Sequence, residues 1–154
     1  MVTPELIDKY KSDFELYAAE NLFIIDKDSQ LIPFIFNRMQ SRLWKLLLEL
    51  LIAGVPIRIL VVKDRQIGCS SWICGLLYWL CSLFSNKGAL QVNYDADSAA
   101  GLFSKIKLFY KMSKPELKPL RKISNRQELY FANPDDDGPL GLDSRIRIDT
   151  ADSE

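Results

Sequence analysis

The chain has 154 residues, which is enough for one domain with a substantial core. Hydrophobic residues make up 48% and charged residues 26%, which excludes an intrinsically disordered chain. The 20 basic residues balance the 20 acidic residues, which excludes a uniformly basic nucleic-acid coat protein, and the lack of histidine excludes a Ser-His-Asp triad and any histidine metal site.

The first part of the sequence predicts two helices separated by short extended pieces. Residues 3–5 (Thr-Pro-Glu) form a good helix start, and this helix is expected to run to about Glu20. Residues 23–36 are apolar but interrupted by polar residues and a proline, which indicates a loop or short extended segments. Asn37, with Gln40 three residues later, resembles a capping box and predicts the start of a second, leucine-rich helix.

The rest of the sequence predicts alternating strands and helices. In chain order these are a β-branched strand at Ile57–Val62, an apolar helix at 70–84, a strand at Ala89–Tyr94, a helix at 98–111 capped by Asp95 or Asp97, and strands at 128–132 and 144–149. This alternation predicts an α/β fold with a parallel sheet, in which residues 57–62 form the central strand.

The three cysteines and the N-terminal sequence indicate the cellular compartment in which the protein is expected to lie. Cys69, Cys74 and Cys81 lie within thirteen residues and lack the spacing of paired metal ligands. They indicate small buried thiols in a reducing compartment rather than a disulfide framework. The N-terminus is charged and amphipathic, so no signal peptide is expected.

The turn after the first predicted strand lies where a phosphate-binding loop would lie. Such a loop follows a strand, has the pattern GxxxxGK[ST] and precedes a helix. In the sequence KDRQIGCS, Gly68 and Ser70 fit the pattern, whereas Lys63 replaces the first glycine and Cys69 replaces the usual lysine. The pattern alone therefore leaves open a plain strand-to-helix turn with a cap at Ser70 or Ser71.

Together with its flanks, this loop resembles the displaced-lysine Walker A motif of tailed-phage terminase large subunits, K-x-R-Q-x-G-x-S/T. Residues 36–40 (FNRMQ) resemble the Q-motif of that family, and residues 94–99 and 144–151 resemble its later segments. The resemblance covers roughly residues 31–154. It implies a P-loop NTPase-like parallel sheet flanked by helices, incomplete in this chain, preceded by a helical segment at 1–30.

The same resemblance implies ATP and Mg²⁺ as cofactors and assigns roles to individual residues. Lys63 would contact the β- and γ-phosphates and Arg65 would sense or trigger hydrolysis, so these two are the implied catalytic residues. Ser70 would bind Mg²⁺ through its hydroxyl, and Gln40 would read the adenine. The implied cofactor-binding residues are Gln40, Lys63, Gln66, Ile67, Gly68, Cys69, Ser70 and Ser71. From the residues alone, Gln40 is explained by the capping box and Arg65 by a solvent-facing loop.

At the level of function, the resemblance implies an ATPase that moves viral DNA into a procapsid in the cytoplasm of a bacterial host. Its implied partners are double-stranded DNA, a portal protein, a small terminase subunit and further copies of this chain. The sequence shows no apolar run that ends in the Asp-Asp or Asp-Glu of a Walker B strand, nor the clustered carboxylates of a nuclease domain. We therefore expect a chain that stops inside the ATPase domain and hydrolyses ATP poorly alone.

Two further function classes remain open at this stage. Residues 67–84 contain no charge and reach the eighteen-residue length of a transmembrane candidate, which would fit a small membrane protein. Residues 104–128 carry eight basic and two acidic residues, which would fit a non-catalytic nucleotide- or DNA-binding module, although a solvated helix end and loop also explains them. A helix covered by a parallel sheet is also expected to be apolar nearly all round, and this favours a protein without a membrane span.

Overall fold

The computed structural model describes residues 2–62, 67–132 and 143–151. These residues contain five α-helices, one short 3₁₀ turn (Pro115–Leu117) and six strands. The helices are α1 (Pro4–Ser12), α2 (Phe14–Asn21), α3 (Arg38–Ile52), α4 (Cys69–Leu83) and α5 (Ala96–Met112). The strands are β1 (Phe23–Ile25), β2 (Leu31–Pro33), β3 (Gly88–Asn93), β4 (Arg121–Ser124), β5 (Glu128–Phe131) and β6 (Ser144–Thr150). The predicted α/β class is confirmed.

The single helix predicted to run to Glu20 is wrong, because the chain breaks it into α1 and α2. Asp13 lies between them in an extended conformation, with φ −136° and ψ 97°. Its carboxylate accepts a hydrogen bond from the backbone N–H of Leu16 at 3.1 Å. A short acidic side chain offers the backbone this alternative partner, so it favours a new helix start over helix continuation.

The main sheet is mixed, whereas the sequence predicted a parallel one. Its strand order is β3-β6-β5-β4, and only β3 and β6 run parallel. β5 pairs antiparallel with both β6 and β4. The antiparallel half arises because β4 and β5 are joined by a short connection, which permits a hairpin but no crossover. β1 and β2 form a separate antiparallel pair.

The predicted central strand at 57–62 is absent from this sheet. These residues have no regular secondary structure, and Leu60 and Val62 are 91% and 92% exposed. The central position is taken by β6, whose Ile146 and Ile148 are buried while Arg145 and Arg147 are exposed. A β-branched run indicates that a segment suits a sheet, but strand pairing depends on a partner elsewhere in the chain.

Helices cover one face of the sheet. α4 and α5 pack against β3 and β6, and α2 packs against α4, α3 and β2. The opposite face of β3 exposes Leu90 and Val92. The molecule therefore has a sheet layer, a layer containing α4 and α5, and an outer layer that includes α2.

The apolar helix α4 runs through the middle of the core. It has 15 residues, and no helix among residues 2–62, 67–132 and 143–151 combines the length and hydropathy needed to cross a membrane. All three cysteines are buried and free, as predicted. Burial raises the pKa of the Cys74 thiol to about 11 and that of the Cys81 thiol to about 12, so both are neutral at physiological pH.

Candidate functional site

The start of α4 presents backbone N–H groups that the helix itself does not use. Gly68 occupies the N-cap position with φ 76° and ψ 11°, and its carbonyl accepts the first helical hydrogen bond from Trp72 at 3.1 Å. The N–H groups of Cys69, Ser70 and Ser71 therefore have no partner within the helix. A helix N-terminus carries a partial positive charge, so such groups attract anions.

The other four helices begin with a side-chain cap. Thr3, Asp13, Asn37 and Asp95 each accept a hydrogen bond from the first turn of their helix. Within the described part of the chain, no side chain caps α4. The left-handed conformation of Gly68 explains the glycine at this point, because side chains there are strained.

Gln40 ties the start of α3 to the start of α4. Its Nε2 donates to the Gly68 carbonyl at 2.9 Å, and its Oε1 accepts from the Asn37 backbone N–H at 2.9 Å. Asn37 Nδ2 donates to the Ile67 carbonyl at 3.1 Å. A Cβ at Gly68 would lie 2.9 Å from Gln40 Nε2, so the approach of this amide also requires glycine.

The predicted capping box at Asn37 and Gln40 is confirmed in both of its hydrogen bonds. The structure adds a contact that the sequence did not predict, because Gln40 and Gly68 are separated by 28 positions. Gln40 is 3% exposed, and both polar atoms of its amide have protein partners. Its implied contact with adenine stays a prediction.

Changing Gln40 to glutamate is expected to destabilise the protein even though glutamate serves a capping box as well as glutamine does. The variant keeps an acceptor for Asn37 but places a carboxylate oxygen against the Gly68 carbonyl. We expect the free energy of unfolding to fall by about 1–3 kcal/mol, the usual cost of leaving a buried polar group unpaired. Denaturant titration measures this, with the exposed Gln127→Glu as the matched control. Equal stability of the two variants would show that the Gly68 contact contributes nothing.

Ser70 and Ser71 lie on the first turn of α4 and face different surroundings. Ser70 is exposed, whereas the Ser71 hydroxyl accepts a hydrogen bond from Lys105 Nζ at 2.7 Å. Lys105, on α5, places a cation beside the helix start. Its position at this site was not predicted from the sequence, where Lys105 is only one of the eight basic residues of the segment 104–128.

The predicted loop residues Lys63, Arg65 and Gln66 lie outside the described residues. Of the remaining loop residues, Ile67 and Gly68 contact the start of α3, and Cys69 is buried with 4% exposure. The structure therefore brings together Gln40, Ile67 and Gly68.

α4 begins at the sheet edge where the parallel strands end. Near its C-terminus, Cys81 Sγ lies 3.7 Å from the Lys87 carbonyl and 3.5 Å from the Arg145 carbonyl, which mark the starts of β3 and β6. About two turns earlier in the helix, Cys74 Sγ lies 3.8 Å from the Oε1 of Gln91, a residue in the second half of β3. α4 thus runs opposite to both strands, and its N-terminus reaches the carboxyl edge, where ligands bind in α/β sheets.

Asp149 lies near the carboxyl end of β6. Its Oδ2 accepts a hydrogen bond from Arg147 Nη2 at 2.7 Å. Because side chains alternate along a strand, Asp149 lies on the same face as Arg147 and opposite to Ile148, which faces the helices. In the parts of the chain that the structure describes, no group of three His, Cys, Asp or Glu side chains is arranged to hold a metal ion.

Four cations share one shallow pocket with Tyr110, and we call this set the basic surface: Lys107, Lys111, Lys118 and Arg121. The Lys118 ammonium lies 4.9 Å and the Arg121 guanidinium 5.3 Å from the centre of the Tyr110 ring. The two ion pairs found among the described residues involve Arg145 and Arg147, so no carboxylate there neutralises the basic surface.

No model of a known protein family matches the chain, and no curated protein is significantly similar to it. The resemblance to terminase large subunits therefore depends on the motifs quoted above.

Proposed function

We propose that this chain is the ATP-binding part of a viral DNA-packaging motor of the terminase large subunit type. The observation that carries the proposal is the start of α4, whose first backbone N–H groups have no partner within the helix and which directly follows the sequence KDRQIG. A phosphate-binding loop needs this combination of a glycine-containing turn and an open helix N-terminus, although it also follows a strand, which residues 57–62 do not form. The position of that helix start at the carboxyl edge of β3 and β6 supports the same assignment.

The loop residues take the phosphate-binding roles in this proposal. Lys63 supplies the positive charge for the β- and γ-phosphates, and Arg65 acts during hydrolysis. The exposed Ser70 hydroxyl on the first turn is suited to Mg²⁺, which keeps several waters and is otherwise held by phosphate oxygens. Mg²⁺ would neutralise charge on the transferred phosphoryl group.

The basic surface is the proposed contact for double-stranded DNA. Four cations with no carboxylate partner among the described residues suit a phosphate backbone, because each contact releases counterions. As in the resembling family, the motor would contain several copies of this chain together with a portal protein and a small terminase subunit. It would act in the cytoplasm of a bacterial host.

Titration with labelled ATP tests the proposal. Lys63→Ala is expected to weaken ATP binding by about ten- to a hundredfold, because a charge-assisted hydrogen bond contributes about 1.5–3 kcal/mol. Cys69→Ala removes a buried thiol from the position of the ordinary Walker A lysine and is expected to change the affinity much less. Equal losses in the two variants would contradict the displaced-lysine assignment.

A further inference from the structure

A cavity of about 500 Å³ lies between β1 and α5 and reaches the first turn of α4. We propose that this cavity holds the nucleoside of the ATP whose phosphates bind at the start of α4. The inference rests on the proposed function, and it names the part of the site that the loop motif leaves unassigned.

The size and walls of the cavity suit a flat aromatic ring. Small-molecule sites usually measure about 300–1,000 Å³ and are mostly apolar, with a few polar groups that fix orientation. Here Phe23 and Ile24 of β1 and Leu108 of α5 supply apolar lining that is accessible to a ligand, and the fully buried Phe109 lies behind them. A purine placed between these walls would bury both of its faces against carbon.

The rim of the cavity leads to the phosphate site. Ser71 lines the cavity and also belongs to the first turn of α4, next to the exposed Ser70. Lys105 lines the same rim and donates to the Ser71 hydroxyl at 2.7 Å. An anionic group at this edge of the cavity would contact first the Lys105 ammonium and then the N–H groups of the first turn, which have no partner within the helix. Lys107 and Lys111, which also belong to the basic surface, line the cavity as well. A largely apolar cavity with lysines on its lining and a helix N-terminus beside it matches a nucleoside that carries phosphates.

The geometry at Gln40 supports placing the base here rather than on that amide. Gln40 Nε2 donates to the Gly68 carbonyl, and Gln40 Oε1 accepts from the Asn37 N–H. The residue is only 3% exposed. Contact with a base would require at least one of these bonds to break, with the cost of unpaired buried groups. In this arrangement Gln40 is a positioning residue that holds Gly68 at the start of α4.

Gly101 offers a way to fill the cavity without disturbing its walls. It lines the cavity, and a Cβ added to it meets no atom within 4 Å. Leucine is also a better helix former than glycine, so Gly101→Leu is expected to fold. Ser104→Leu, which fills the cavity from the next turn of α5, is a second variant, and Ala100→Leu is the matched control outside the cavity lining.

Binding of Mg²⁺-ATP and of Mg²⁺-tripolyphosphate is measured by calorimetry for the wild type and these variants. We expect Gly101→Leu and Ser104→Leu to weaken ATP binding by about tenfold or more, the equivalent of about 1.4 kcal/mol. Tripolyphosphate has no base, so its affinity is expected to stay unchanged in both, and Ala100→Leu is expected to bind both ligands as the wild type does.

The two ligands separate failure of this inference from failure of the proposed function. If the wild type binds both ligands but the cavity-filling variants keep full ATP affinity, the nucleoside lies elsewhere and the phosphate site stands. Equal affinity of the wild type for ATP and tripolyphosphate would also overturn the cavity assignment, since the base would then contribute nothing. If neither ligand binds the wild type, the proposed function fails and this inference fails with it.

Discussion

Replacing Phe14 by alanine is expected to lower the free energy of unfolding by about 3–5 kcal/mol, the usual cost of truncating a buried aromatic side chain. Phe14 is fully buried, and its ring centre lies 5.0 Å from that of Phe36, 5.8 Å from those of Trp44 and Trp72, and 5.4 Å from that of Trp79. These rings come from α3, α4 and the segment before α3. One truncation therefore removes contacts between three parts of the chain, and the resulting cavity cannot close by a single local movement.

Chemical denaturation followed by tryptophan fluorescence measures this loss, because three of the four rings next to Phe14 are tryptophans. The control is Tyr94→Ala, which removes an aromatic ring that is 84% exposed and is expected to change stability by less than about 0.5 kcal/mol. A loss at Phe14 of less than about 1 kcal/mol would contradict the packing of α2 against α3 and α4. Because Trp72 lies on the first turn of α4, the same variant is also expected to loosen the Gln40 contact with Gly68.

Features encoded by neighbouring residues could be predicted from the sequence. The start of α3 follows from Asn37 and Gln40, and the start of α5 from Asp95, because caps act within one helical turn. β3, β5 and β6 were also located within about two residues, since alternation and turn residues are local signals. The break at Asp13 was missed although its cap is also local, because an aspartate can occupy a helix interior at a modest cost in helix propensity.

Features that depend on distant partners could not be predicted. Residues 57–62 have the composition of a buried strand, yet β6 occupies the central place in the sheet through its register with β3. The pairing of β5 with β6 likewise depends on which segments meet in space, because more than ten residues separate these two strands along the chain. The order of strands in the sheet is set by competition between segments, so it cannot be predicted from the sequence of any one segment.

In the candidate site, too, features encoded by neighbouring residues were predicted and contacts between distant residues were not. Gly68 and Ser70 were predicted from the loop pattern, and the structure places both at the start of α4. Lys105 was not predicted at this site, because it reaches Ser71 across 34 positions through the packing of α5 on α4. Gln40 was predicted for two roles, and only the capping role follows from its immediate neighbours.

The 154-residue chain is expected to bind ATP with little or no turnover. Phosphoryl transfer requires Mg²⁺ held by the loop serine and by a carboxylate on a neighbouring strand, together with a group that positions the attacking water. Asp149 is the described carboxylate at the carboxyl end of the central strand. It is held by Arg147 at 2.7 Å, on the sheet face opposite to the helices. One Asp149 oxygen accepts from Arg147 and the other from the Thr150 backbone N–H, so this carboxylate is already engaged and does not complete a metal shell with Ser70.

A steady-state phosphate-release assay on the purified chain measures the expected loss. General-base assistance alone usually accelerates a reaction by about 10²–10⁴-fold, so without it turnover is expected to fall far below about 1 s⁻¹. Asp149→Asn is the matched control, since it removes the charge, keeps the shape and is expected to leave the residual rate unchanged. Turnover near about 1 s⁻¹ that both Lys63→Ala and Asp149→Asn abolish would mean that Asp149 leaves Arg147 and turns toward the nucleotide. In that case the ion pair with Arg147 would hold the catalytic acid in an inactive position until ATP binds.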